Sequence, residues 1–405
     1  MNKRVLISGA IVLAALTATV TYTVTFKVAM NKFNQVVSEV NERQAMYQKL
    51  NDIDQTIRQD YIGEIDENKI NDGIAKGYIS GLDNAEVIYK NKEDYKSYTT
   101  ANDEKATYIG IDHCEDEQGH IKVLNVWSNS PAEREDIKAG DRIVSISSID
   151  LKSLGYENAL NMLFGKSNAK INLKIKRTNE NNEEVEIDKS IILPKKNTNT
   201  VQYEIIEDNI GYIRIPMFLE NTRNDFEEAV EKLKSDAVSG FVVDLRGCKS
   251  NNYENMVSLA DTILPEGDMV NTVDKDGNKE VRYKTTSGEF DYPLEFLVDN
   301  RTAGAAEIFA SAIKDYRKAS VIGEKTKGRC QRVRSVQLSD GSGIAFPIAY
   351  YTTNANDQIN GNGIQPNIEV KMSSEQSELL MNRALKLSDD PQVSEAIKQL
   401  RSLGV

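Results

Sequence analysis

The sequence predicts a mixed α and β protein of several domains, and three features carry that prediction. Residues 210–215 (IGYIRI) and 241–245 (FVVDL) are short apolar runs separated by helical spacing over 224–233, the punctuation of strand, helix, strand. Residues 294–298 form another compact apolar run, followed by a small-residue turn at 302–306 and by Ile308, Phe309, Ala312 and Ile313 at helical spacing. A length of 405 residues exceeds one ordinary core, and 40% apolar with 28% charged residues is the balance of a folded chain.

Taken in order, the chain starts with Lys3 and Arg4 and then carries no charge over residues 5–26, a run long enough to cross a hydrocarbon core as a helix. Charge placement then predicts a single-pass anchor (residues 1–29) in the cell membrane, with the body outside the cytoplasm. A cleaved signal peptide, cut near the small residues at 14–18, is the competing reading. From 30 to 59 the apolar residues Phe33, Val36, Val37, Val40, Met46, Leu50, Ile53 and Ile57 fall at helical spacings. They fit a stalk, a helix pairing with a second copy in a homodimer, or a helix packed on its own body. Residues 30–104 as a whole read as a helical stalk and segment.

Composition narrows the partners. Sixty-two acidic against fifty basic residues give a net charge of −12, which argues against nucleic acid. Three cysteines, Cys114, Cys248 and Cys330, cannot build a disulfide framework. His113 and His120 flank Cys114 among acidic residues and read as a solvated loop in preference to a metal site. The sequence has no phosphate-binding glycine loop and no zinc spacing, so no metal and no cofactor are expected.

Residues 105–193 show strand patterns at 121–127 and 170–176, a Gly140-Asp141 turn, and a helix over 155–164 with Ala159, Leu160 and Leu163 on one side. Residues 194–200 are a polar linker, 200–370 hold the strand and helix punctuation described above, and 371–405 form a tail with helical spacing that is expected to pack on the preceding domain. The strand, turn and helix at 293–313 mark the expected site. A helix start offers unpaired N–H donors to developing negative charge, and hydrolases set a nucleophile on such a turn.

Several spaced segments resemble the C-terminal processing (tail-specific) peptidases, a Ser-Lys serine peptidase family with a PDZ domain and a ClpP/crotonase-like catalytic domain. The matching segments are TAGAAEI (302–308), GEKTKGRC (323–330), LSDGS (338–342), Tyr351-Thr352 and the stretch 361–370. YIGI (Tyr108, Ile109, Gly110, Ile111) and SPAEREDIKAGDRIVSIS (130–147) are similar to the carboxylate-binding loop and a conserved-pattern segment of a PDZ domain, and residues 61–82 look like the helical segment before it. The resemblance implies that the PDZ-like part binds peptide or protein C-termini by strand addition.

Carried over residue by residue, the family's nucleophilic serine falls on Gly304, its general-base lysine on Arg329 and the glutamine orienting that lysine on Val333. Glycine carries no nucleophile, and arginine does not surrender its proton at a workable pH. The family's DLRGNPGG oxyanion loop stands here as DLRGCKSN (244–251). The expectation is an anchored homologue that binds termini without cutting them. The alternative is an active serine-type or Thr/Lys endopeptidase using Thr302 and Lys327, which keep the spacing two residues earlier. In the family the loops holding Cys248 and Cys330 converge, which implies neighbouring thiols or a disulfide.

Overall fold

The computed structural model describes the backbone of residues 3–195, 199–286, 288, 290–355 and 357–405; the side chains of 3–20, 33, 35–37, 39, 42 and 208 lie outside the description. The chain divides into two compact units, Met1–Asn71 and Asp72–Val405.

The first unit is dominated by one helix, Lys3–Asp60. Its C-terminal turn is held by Arg58, which bonds Asp54 at 2.8 Å and Glu67 at 2.7 Å. Among the described residues no helix is long and apolar enough to cross a membrane. The described structure therefore does not supply the anchor expected at 5–26, and most of that run lies outside the described side chains. Of the stalk residues, Phe33, Val36 and Val37 also lie outside them, whereas Val40, Ile53 and Ile57 are exposed.

In the second unit, a six-stranded sheet runs Gln202–Ile206, Ile210–Arg214, Gly240–Asp244, Leu294–Val298, Ser320–Gly323, Ile368–Glu369. Only the first pair is antiparallel. Parallel strands are covered on both faces and therefore read as continuous apolar runs. Gly240–Asp244 and Leu294–Val298 are buried at every residue. One face carries helices Thr222–Ser235, Tyr253–Ala260 and Ala305–Asp315, whose apolar residues share a core with Val243, Phe296 and Val298. The other carries the tail helix Pro391–Ser402, which buries Val393, Ala396, Ile397 and Leu400 against Tyr212, Val242, Leu297 and Ile322.

The tail is also tied by charge. Arg246, fully buried, bonds the Asp244 carboxylate and, at 2.7 Å, Asp390, which caps the tail helix through the Gln392 and Val393 amides. Burial opposes the Asp244 charge, but the Arg246 guanidinium prevails and holds its pKa below the usual carboxylate range.

A second sheet sets Gly343–Thr352 between Gln331–Gln337 on one side and Ile88–Lys90 and Gly267–Asp274 on the other, with Lys279–Thr285 beyond. The third, PDZ-like sheet orders Ile111–Glu115, Ile121–Val126, Arg142–Ile146, Lys170–Thr178, Glu184–Ile192. The helix expected over 155–164 is shorter, Tyr156–Asn161, because Met162 already serves as its C-cap. The stretch expected as a solvated loop around His113 is instead the strand Ile111–Glu115, and His120 is buried beside Asp116 at 3.4 Å. Acidic neighbours hid a strand in which Ile111 and Asp112 are both buried and an irregularity in pairing falls between Asp112 and His113, so its burial does not alternate. Of the 194–200 linker, 196–198 lie outside the described residues, while Thr200 is anchored through its amide and hydroxyl to Asp225.

Candidate functional site

The site grows from the strand Leu294–Val298, which delivers the chain to the turn at Asp299. There Asp299 Oδ1 accepts the Gly247, Arg301 and Thr302 amides at 2.9, 3.0 and 3.0 Å, fixing the turn to the loop after Gly240–Asp244. The Thr302 hydroxyl, fully buried, donates to Leu245 O at 2.9 Å and accepts from the Asp299 amide at 3.0 Å. Its proton has two acceptors, Leu245 O and, at 3.2 Å, Asp299 Oδ1. Lys327 is exposed and meets Thr302 through its own amide, bonded to Thr302 O at 3.0 Å. No hydrogen bond joins the Lys327 side chain to the Thr302 hydroxyl.

Gly304 caps the helix Ala305–Asp315 with φ 68° and ψ −124°, a conformation that residues with a Cβ rarely adopt. The sharp strand-to-helix turn that presents a nucleophile is present. The space above it is not: a Cβ on Gly304 would stand 2.4 Å from Ser250 O and 3.3 Å from Asn251 Oδ1. The loop lies close over the turn because Lys249–Ser250 pairs in parallel with Ala303–Gly304, the Ala303 amide donating to Cys248 O at 2.9 Å. Ser250 Oγ holds the loop from behind, accepting the Phe218 and Asn252 amides at 3.4 and 3.3 Å. Two of the loop's amides are taken up within the fold, Gly247 N by Asp299 and Cys248 N by Leu245 O.

Glu307 organises the other wall. Buried at the first turn of the site helix, its carboxylate accepts the Gly328 amide at 2.6 Å, the Arg329 amide at 3.0 Å, the Gly304 amide at 3.2 Å and the Thr326 hydroxyl at 2.5 Å. Burial still pushes its pKa up despite these donors. Arg329 turns outward, 64% exposed, 3.8 Å from Glu86, and Val333 lies on the exposed part of Gln331–Gln337. Cys330 donates its thiol to Gly304 O at 3.5 Å; it and Cys248 are free, buried thiols, each pushed up by burial. The expected bridge is therefore not formed in this structure.

Residues 209–370 match the model of Peptidase family S41, and residues 107–188 match that of the PDZ domain. The chain joins a PDZ domain to an S41 peptidase domain. It is 28% identical over 327 residues to the carboxy-terminal processing protease CtpA of Bacillus subtilis (strain 168), covering 80% of this chain and 69% of that one. The carboxy-terminal processing protease CtpB of the same organism is 25% identical over 332 residues, covering 82% and 69%. The fold is like that of the photosystem II D1 C-terminal processing protease, with a TM-score of 0.50 and 24% identity over 78% of this chain and 85% of the other.

In the PDZ domain, Ile111–Glu115 is the sheet's edge strand. Gly110 before it has φ 87°, and a Cβ there would lie 2.3 Å from Ser130 Cβ, so this turn admits only glycine. The Gly110 carbonyl accepts the Trp127 amide at 3.0 Å and the Ile109 carbonyl the Ala132 amide at 2.9 Å. Among the described residues the Gly110 amide meets no acceptor. Tyr108 packs on Phe164 and Trp127 and donates its hydroxyl to Ile111 O. His113 Nδ1 lies 2.8 Å from the Tyr156 hydroxyl across the strand, and loss of solvent pushes its pKa down to about 4, so the ring is neutral at neutral pH.

Sequence reasoning missed Glu307, Asp299, Ser250 and Asp112. Glu307 had a signal, an acid three residues after a helix start. Asp112 had none: it follows Ile111 and reaches Arg214 of the S41 sheet at 2.9 Å and Arg383 of the tail at 3.2 Å.

Proposed function

We propose that this is a membrane-anchored, extracytoplasmic S41 homologue that binds peptide or protein C-termini at its PDZ domain and does not cleave them. The single observation carrying the second half is the Ser250 carbonyl where a nucleophile's Cβ would stand. Loss of one member of such a catalytic unit already costs on the order of a millionfold in a measured serine protease. Here the positions of the nucleophile, base and orienting residue are held by Gly304, Arg329 and Val333 together. Support for the first half comes from the unmet Gly110 amide beside an open edge strand, and from the names of the relatives, which act at carboxyl termini. The anchor rests on the uncharged run at 5–26 behind Lys3 and Arg4, and the exposed apolar residues Val40, Ile53 and Ile57 fit pairing with a second copy.

The test uses full-length protein with unstructured peptides ending in an apolar residue. Free-acid peptides bind distinctly better than their amidated forms, and no peptide is cut. Equal affinities remove the carboxylate role. Turnover that vanishes in Thr302→Ala or Lys327→Ala would establish the shifted-site endopeptidase instead. Protease added to intact cells digests the body; protection until the membrane is broken refutes the topology.

A further inference from the structure

We propose a second recognition surface on the S41 domain: a basic strand edge at residues 325–334 that takes an extended, acidic polypeptide segment. The proposal is independent of the PDZ site and of whether that site reads a free carboxylate.

Two separate observations meet there. The first is charge. In a chain of net charge −12, the stretch KTKGRCQRVR carries Lys325, Lys327, Arg329, Arg332 and Arg334 and no acid. Arg332 is held by Glu280 at 2.7 Å, and Arg329 is 3.8 Å from Glu86 while staying 64% exposed. Lys325, Lys327 and Arg334 are exposed and, among the described residues, have no acidic partner within ion-pair distance. Lys249, also exposed, lies across from Ala303 in the paired strand, next to Thr302, whose carbonyl accepts the Lys327 amide. Such a concentration of one sign draws in the opposite sign and rejects basic segments.

The second observation is backbone. Gln331–Gln337 pairs with Gly343–Thr352 on one side only. On its other side, among the described residues, only the Gln331 carbonyl is used, by the Tyr253 hydroxyl at 3.3 Å. An open row of amides and carbonyls is a template for an added strand. Lipid headgroups and nucleic acid can answer the charges and accept from single amides but do not match amides and carbonyls alternating at strand spacing, which is why a polypeptide is the occupant. The alternation along the strand sets Arg332 and Arg334 on one face, so a partner with acids at every second position meets both.

The experiment uses full-length protein and capped peptides of about twelve residues, the length that covers such an edge. One alternates Glu with Thr and Val; its counterpart carries Lys for Glu. Both are acetylated and amidated, so neither engages a carboxylate site. The acidic peptide is expected to bind at least about tenfold tighter than the basic one, with affinity falling steeply with salt. It should also slow amide exchange at residues 332–336. Lys325→Glu with Lys327→Glu and Arg334→Glu loses that preference while still binding free-acid peptides as before, which separates loss of the surface from loss of the fold. Equal binding of the two peptides, or an unchanged triple variant, overturns the proposal. So does binding without slowed exchange that inorganic polyphosphate abolishes, which would make this a general polyanion surface.

Discussion

At Gly304 two constraints act on one residue: a left-handed φ of 68° and a backbone carbonyl 2.4 Å from any added Cβ. Gly304→Ala should therefore cost about 3 kcal/mol or more, read as a lowered denaturation midpoint. A substitution within about 0.5 kcal/mol of wild type would mean the loop yields freely. For the same reason Gly304→Ser with Arg329→Lys and Val333→Gln is expected to remain without turnover, since the serine must first expel Ser250. Measurable cleavage by that triple variant refutes the occlusion. Glu295 offers a pH test. It is buried in the central strand with one carboxylate oxygen unbonded, and burial pushes its pKa from an ordinary 4.5 up to about 7. Below about 4.5 folded and unfolded chains both hold the proton; between about 4.5 and 7 the unfolded chain gives it up while the folded chain still holds it, so stability falls across that window and levels off above about 7. Glu295→Gln should remove this slope, which amounts to about 2–3 kcal/mol between pH 4.5 and 8. Parallel curves for variant and wild type in chemical denaturation would assign the slope elsewhere.

The tail helix Pro391–Ser402 is an element kept in place by a buried ion pair as much as by its apolar face. Breaking such a pair from one side strands a charge, so Arg246→Met should destabilise by about 3–5 kcal/mol and expose the tail to proteolysis first. A tail that stays protected would show that Val393, Ile397 and Leu400 suffice. What the sequence disclosed at this scale follows from periodicity. The strands at 210–215 and 241–245 and the helix of the site were legible because burial on both faces leaves continuous apolar runs and helical spacing leaves its own mark. The spaced motifs likewise led to the PDZ and S41 domains. The strand pairing Lys249–Ser250 with Ala303–Gly304 was not legible, because two residues carry no pattern and the contact joins segments more than fifty residues apart. Arg329 and Val333 could be read as replacements, but their outward orientation could not.

Across the second unit, Asp112 couples the PDZ sheet to both the S41 sheet and the tail. Burial opposes its charge, yet Arg214 and Arg383 together hold its pKa below the usual range. The strand that would receive a peptide is thus fastened at its first residues to the neighbouring domain. Asp112→Asn should uncouple the two, so that calorimetry of residues unfolding in one transition resolves into two, the PDZ domain melting first. A single transition with a merely lowered midpoint would confine Asp112 to local stability.

The carbonyl of Ser250 over Gly304 also bears on how this chain can change with time. Any side chain introduced at Gly304 must displace the Ser250 carbonyl and disturb the pairing of Lys249–Ser250 with Ala303–Gly304. A serine placed there alone is then expected to lower stability and bring no turnover with it, so a change at this one position carries a cost before it can carry a gain.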